Sequence, residues 1–263
     1  MKETRHVAII GFGAIGQEVA AGLLAARAVE YRVSALLRKP ERQTGLDRRL
    51  SVAGSLAELI RLKPDIFVEA AGQAAVQEHG ADIAETGKPF VVASIGTFAD
   101  EALWQDLSRR AASRGGKIVI PTGAIGGLDY TRAVAELPDA EIRYVSRKPP
   151  SAWADELQAM GKAPGDVRDV IVLFEGSARA AAQRYPKNLN VAATLAVAGI
   201  GMERTKVVVL VDPAITANMH EIEIRSQAGV ARFSFENRPS RQNPKTSMVT
   251  ALSVISAVRA EFE

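Results

Sequence analysis

Apolar and polar positions alternate in a steady rhythm through the first half of the chain. Short, continuously apolar runs at residues 7–10, 31–37, 65–70, 89–94 and 117–120 read as strands buried on both faces. Between them, residues 14–27, 55–62, 74–85 and 101–113 carry Ala, Leu and Glu at helical spacing, and Ser55 stands where a helix cap belongs. This pattern predicts an α/β fold, a Rossmann-type doubly wound parallel sheet with right-handed crossovers. The rhythm breaks at Pro121-Thr122-Gly123-Ala124-Ile125-Gly126-Gly127. Strand-like runs then follow at 142–145, 170–174, 206–211, 221–225 and 230–235, with helices at 177–184 and 191–199, so a second domain of α+β type with an open sheet is expected. A last amphipathic helix, 247–262, ends the chain. The expected layout is a dinucleotide-binding domain at 1–122, completed by 242–263, with a substrate and catalytic domain at 123–241.

The strand at 7–10 runs into Gly11-Phe12-Gly13-Ala14-Ile15-Gly16, which opens a helix. In that context Gly-x-Gly-x-x-Gly is a pyrophosphate-binding turn. The first glycine allows the tight turn, the second lets backbone approach the ligand, and the third permits close helix–strand packing. The helix start adds free N–H groups and partial positive charge. An acid at the end of the second strand, about 20 residues on, would hold the NAD ribose. Leu36-Leu37-Arg38-Lys39 stands there instead, and the Arg38 guanidinium suits a 2′-phosphate, so NADP is the expected cofactor, with NAD as the alternative. The competing reading is a solvated basic turn. Ala70-Ala71-Gly72 and Ser94-Ile95-Gly96 end the third and fourth strands, where ligands sit in open sheets, and Ala71, Gly72 and Ser94 join the cofactor candidates.

Three histidines are present. His6 and His79 read as surface residues. His220, in Asn218-Met219-His220-Glu221-Ile222-Glu223-Ile224, falls by strand alternation on the inner face with Ile222 and Ile224. It is either a satisfied core residue or a base working near neutral pH. Asn190, ahead of an apolar helix, is either its cap or a ligand contact. Around Pro186-Lys187-Asn188-Leu189-Asn190 and Asn243-Pro244-Lys245-Thr246-Ser247, polar groups gather before helices; Lys187, Asn188, Lys245, Thr246 and Ser247 are the candidate substrate-binding residues, and the cations and hydroxyls of the second group suit a carboxylate.

Composition narrows the chemistry. The 263 residues hold no cysteine, which removes disulfides, thiolate metal sites and thioester catalysis. No metal site is expected. With 33 Lys and Arg against 30 Asp and Glu, scattered without a basic run, the charge favours anionic small ligands over nucleic acid. The N-terminus shows no signal region, and the longest apolar run, 191–202, is short of the ~20 residues that span a bilayer, so a cytoplasmic protein is expected.

Taken together, the glycine turn, Ser94-Ile95-Gly96-Thr97-Phe98-Ala99-Asp100, Pro121-Thr122-Gly123-Ala124-Ile125-Gly126-Gly127-Leu128-Asp129, Phe174-Glu175-Gly176-Ser177, Pro186-Lys187-Asn188-Leu189-Asn190-Val191-Ala192, Val211-Asp212-Pro213-Ala214, Asn218-Met219-His220 and Asn243-Pro244-Lys245-Thr246-Ser247 resemble the L-aspartate dehydrogenase family over the whole length. The resemblance implies oxidation of L-aspartate with NAD or NADP to iminoaspartate, or to oxaloacetate and ammonium after hydrolysis, a product that can feed NAD biosynthesis. It also implies that His220 is the catalytic residue, that Ala124 and Asn190 contact the nicotinamide end, and that the protein is a homodimer. Two rivals stand beside it. One is another imine or amino-acid oxidoreductase, of dihydrodipicolinate reductase or homoserine dehydrogenase type. The other is a non-catalytic dinucleotide-binding redox sensor.

Overall fold

The computed structural model describes residues 4–37, 46–185, 190–240, 243 and 246–263. The chain divides into two compact units, Met1–Gly123 with Thr250–Glu263, and Ala124–Val249.

The first unit is built by β1 (Thr4–Ile10), α1 (Ala14–Leu24), β2 (Glu30–Leu36), β3 (Leu50–Ala53), α2 (Leu56–Arg61), β4 (Ile66–Glu69), α3 (Gln73–Ala84), β5 (Phe90–Val92), α4 (Glu101–Ser113) and β6 (Ile118–Val119). All pairings are parallel and the strand order is β3-β2-β1-β4-β5-β6. The order reverses between β1 and β4, which places the switch point beside the glycine turn. Central strands are apolar because both faces are covered: Val7, Ile9, Val33, Ile66, Val68 and Val91 are fully buried. Helix starts follow local chemistry. Ser55 Oγ accepts from the Glu58 N–H while the Glu58 carboxylate accepts from the Gly54 N–H, and Asp100 accepts from the Leu103 N–H.

The second unit contains α5 (Leu128–Val134), β7 (Glu141–Lys148), α6 (Ala154–Ala159), β8 (Ile171–Ser177), α7 (Ala178–Arg184), α8 (Asn190–Ala198), β9 (Lys206–Val211), β10 (Asn218–Ser226) and β11 (Gly229–Asn237). Its sheet runs β11-β10-β7-β9-β8 and is mixed, with β7 and β9 parallel and the other pairs antiparallel. Helices cover the face that carries Ile142: a Cβ on Gly199, just past α8, would lie 2.6 Å from Ile142 Cδ1. On the opposite face Val145, Val208 and Leu210 form a small apolar cluster.

The final helix, α9 (Val249–Ala260), adds Ala251, Val254, Ile255 and Val258 to the core of β1, β2, β4 and α1 in the first unit. Its contact with α1 is close enough that a Cβ on Gly22 would lie 2.5 Å from Ile255 Cδ1. Two histidines depart from the expectation of surface positions. His6 is buried, and its Nε2 lies 2.8 Å from Ser34 Oγ on the parallel neighbour β2. His79 is half-buried on α3, its side chain 12% exposed beside Glu78.

Candidate active site

In the first unit the glycine turn leaves β1 at Gly11, whose φ of +92° suits glycine and whose Cβ would stand 2.5 Å from the Ala71 backbone. A Cβ on Gly16 would meet the Gly11 carbonyl oxygen at 2.1 Å, so α1 can start this close to the turn only with glycine there. A Cβ on Gly13, by contrast, meets nothing within 4 Å. That open space lies at the start of α1, which has no side-chain cap on its first turn. Phe12 and Ile15 turn their side chains onto the apolar core, so what they and Ala14 offer a ligand is backbone. Open room, uncapped N–H groups and the positive end of a helix fit a dinucleotide pyrophosphate.

Behind the turn lies a residue that sequence reading passed over as part of a strand. Glu69, at the end of β4, is 0% exposed. Its Oε1 accepts the N–H groups of Ala71 and Gly72, each at 2.7 Å, and the Ser94 hydroxyl at 2.9 Å; its Oε2 accepts the Ser94 N–H at 3.0 Å. Burial still pushes the carboxyl above its usual range, against the pull of these four donors. Glu69 thus ties together the two strand ends expected to flank the cofactor. The donors of Ala71, Gly72 and Ser94 point inward to it, and Gly72, at φ +118°, keeps open space beside its α-carbon.

The second unit holds the buried histidine. Along β10, Asn218, His220, Ile222 and Ile224 are buried and the residues between them are partly exposed, as alternation predicts. His220 pairs across the ladder with Ser146, and Tyr144 lies on the same face of β7 two residues earlier. The Tyr144 hydroxyl is 2.7 Å from His220 Nδ1, and the two rings lie nearly parallel, 13° apart. Burial pushes the Tyr144 phenol far up; Ser146 Oγ beside it opposes that shift without forming a well-made hydrogen bond.

The other nitrogen, His220 Nε2, is buried with no partner among the described residues, as are Ser146 Oγ, Asn218 Nδ2 and Trp153 Nε1. Such orphans are rare; three of these four lie on one sheet, on β7 and β10, and the fourth follows β7. Lys148, 4% exposed, is the next residue of β7 on this face, with Nζ 5.6 Å above the Trp153 ring. Burial first, and the Lys148 charge second, pull the His220 imidazole down to about 3. It is therefore neutral at neutral pH, well below the ordinary histidine range expected from sequence.

Other expected site residues are placed as follows. Ala124 is buried, and its carbonyl accepts from Asn237 Nδ2 at 2.7 Å. Asn190 opens α8, and its carbonyl accepts the Thr194 hydroxyl at 2.9 Å. Thr246 Oγ1 accepts from Asn243 Nδ2 at 3.0 Å, and the buried Ser247 bridges to Pro239. Arg38, Lys187, Asn188 and Lys245 lie outside the described residues. The Val211-Asp212-Pro213-Ala214 motif has a structural account: Asp212 accepts the Ala214 N–H at 2.8 Å and Arg147 Nη1 at 2.9 Å, which hold its carboxyl below the usual range. Ser146 and Lys148 were missed because the strand was expected to end at 145, and Tyr144 because it was read only as part of that strand. The available signal was their two-residue spacing, which continues the inner face of β7.

The strand order, the switch point at the glycine turn and the uncapped helix define the class, an NAD(P)-dependent oxidoreductase with a Rossmann-like domain and a second, mixed-sheet domain. Residues 11–121 match the family model described as the NAD-binding domain of homoserine dehydrogenase, and residues 129–261 match the C-terminal domain of aspartate dehydrogenase. The chain is 46% identical to L-aspartate dehydrogenase 2 of Bordetella bronchiseptica, covering 97% of this chain and 96% of that protein. It is 37% identical to L-aspartate dehydrogenase of Brucella anthropi, over 98% of this chain and 97% of that one. The crystal structure of aspartate dehydrogenase from Thermotoga maritima superposes with a TM-score of 0.78 at 26% identity, over 98% and 97% of the two chains. The chain belongs to the L-aspartate dehydrogenase family.

Proposed function

We propose that this protein oxidises L-aspartate to iminoaspartate with NADP or NAD, and that His220 takes the proton the substrate amine must lose. The observation that carries this is His220 itself: a neutral, buried imidazole whose Nε2 has no partner among the described residues, in the unit that matches the aspartate dehydrogenase C-terminal model. The bound nicotinamide accepts the hydride from the substrate α-carbon. The chain's own work is binding and proton handling. In this reading the unit Met1–Gly123 with Thr250–Glu263 grips the dinucleotide through Gly11–Gly16 and the loops tied by Glu69, with Arg38 on the 2′-phosphate. The unit Ala124–Val249 handles the substrate. Aspartate enters with its amine as an ammonium ion, which cannot release hydride from its neighbouring carbon until it gives up a proton. His220 Nε2 accepts that proton, and Tyr144 holds the ring in place through Nδ1. Lys148, with Lys187, Lys245, Thr246 and Ser247, supplies the positive charge and hydroxyls that two carboxylates require, and Asn188 adds an amide donor. By the family resemblance, Ala124 and Asn190 are the nicotinamide contacts.

The released imine, or the oxaloacetate and ammonium it hydrolyses to, feeds NAD biosynthesis, and the enzyme works as a cytoplasmic homodimer. Among the described residues no helix is long and apolar enough to cross a membrane. Absorbance of reduced nicotinamide, followed with L-aspartate, homoserine and a dihydrodipicolinate-type cyclic imine side by side, tests the assignment. Aspartate is expected to dominate with either cofactor. Turnover of homoserine or the cyclic imine in its place would overturn the reading, and turnover of none would favour a dinucleotide-binding sensor.

A further inference from the structure

We propose that Asn237 is a positioning residue for the nicotinamide end of the cofactor: it fixes Ala124 in register with His220, so that one strand, β11, sets the hydride-accepting ring against the proton acceptor. The inference rests on the roles given to Ala124 and His220 above and adds what holds the two together.

The segment Ala124-Ile125-Gly126-Gly127 holds two glycines in four residues, and Gly127 sits at φ +77°. Glycine loses the most backbone freedom on folding, so the order of this segment has to come from its neighbours. The inner face of β11 supplies them one after another. Phe233, Phe235 and Asn237 are half-buried there, with exposed residues between them. Phe233 lies against Gly127, where a Cβ would stand 2.8 Å from its Cζ, and Phe235 lies against Gly126, where a Cβ would stand 3.4 Å from its Cε1. Asn237 Nδ2 donates to the Ala124 carbonyl at 2.7 Å. At Gly127 the hold is many-sided. Tyr130 stands edge-on to Phe233 at 6.4 Å, and the Gly127 carbonyl accepts the Thr131 N–H at 3.0 Å and its hydroxyl at 2.8 Å. At Ala124 the hold is the Asn237 amide. Removing that amide takes the donor from a buried carbonyl and frees this end of the segment while the Gly127 end stays fixed.

The same strand carries the register on to the base. Phe235 pairs across the ladder with His220, and Asn237 pairs with Asn218. Asn237 is therefore the diagonal neighbour of His220 on one sheet face, with α-carbons about 7–8 Å apart. Hydride transfer needs its two carbons held about 3–3.5 Å apart, and a displacement on the order of 1 Å can cost ~10²-fold in rate. A donor that indexes Ala124 to the His220 ladder thus bears on turnover more than on substrate binding.

The test is Asn237→Ala in the full chain, read by kinetics and by ligand titration. Its kcat with aspartate is expected to fall roughly 10–100-fold with the aspartate KM little changed. NADPH and NADH should bind roughly 3–10-fold more weakly, the loss of one hydrogen bond's worth of positioning. ADP-ribose and its 2′-phosphate, which lack the nicotinamide, should bind as they do to the wild type. A merely structural role would weaken dinucleotides and ADP-riboses alike, or neither. Phe235→Leu unpacks Gly126 and leaves the Asn237 amide in place; it should show the same pattern more weakly, and it decides the matter if Asn237→Ala folds poorly. Turnover near that of the wild type in both variants, or equal losses of dinucleotide and ADP-ribose affinity, would overturn the proposal. If the wild type fails to turn over aspartate, the functional reading falls, while the contrast between dinucleotide and ADP-ribose still decides the role of Asn237.

Discussion

A buried imidazole pulled down to about 3 makes the stability of the fold depend on pH in a defined direction. An unfolded histidine takes up its proton near 6.5, whereas His220 in the folded protein stays neutral until about 3. Below pH 6.5 the unfolded state therefore binds one more proton than the folded state, and stability falls as pH falls through that window. For one proton the slope approaches about 1.4 kcal/mol per pH unit, which caps the total loss at about 5 kcal/mol and puts it at about 2 kcal/mol by pH 5. His6 and the low-lying carboxyl of Asp212 also lose stability in acid, but they do so equally in a variant altered only at position 220. Urea unfolding of the wild type and His220→Asn between about pH 7.5 and 4.5 isolates the histidine. The wild type should lose stability faster on acidification, by about 2 kcal/mol at pH 5. Parallel curves for the two proteins would refute the burial argument. A kinetic corollary follows from Lys148, whose charge contributes to the shift. Substrate carboxylates counter that charge, so the acid limb of kcat should lie at higher pH than that of kcat/KM.

Glu69→Gln keeps the size of the side chain but sets an NH2 against at least one N–H donor, so it should cost about 2–4 kcal/mol, read as a lower Tm, and weaken dinucleotide binding measured by titration. Unchanged Tm would show that the four-donor cluster contributes little. Gly13→Ala should fold normally yet bind NAD(P) more weakly because its methyl enters the open cradle, whereas Gly16→Ala should destabilise the fold through contact with the Gly11 carbonyl. Equal behaviour of the two in melting and binding would contradict the division of roles. Arg38→Ala should weaken NADP binding by about 1.5–3 kcal/mol, roughly ten- to a hundredfold, and NAD binding much less; equal losses would remove Arg38 from cofactor choice.

The parallel unit was largely legible because its strands are apolar on both faces and its helices carry their own start signals, Ser55 and Asp100 among them. The edge strand β3 was not: four residues, only one of them buried, leave no periodicity to read. Helix α5 is preceded by Gly127 in a left-handed conformation, inside a glycine-rich run that reads as a turn. The His220 face could be read from simple alternation, since Glu221 and Glu223 contrast with Ile222 and Ile224. Its partners could not, because Ser146-Arg147-Lys148 looks like the polar end of a strand until β10 and β9 are seen to flank it. Glu69 was hidden for a different reason. Its meaning lies in Ser94, 25 residues away, which no local pattern connects to it.

Whether His220 accepts the substrate proton is decided by the turnover of purified His220→Asn at saturating aspartate, with dinucleotide affinity measured in parallel. A fall of about 10²–10⁴-fold in turnover with cofactor binding intact is expected. Turnover near that of the wild type in a folded, cofactor-binding variant would contradict it.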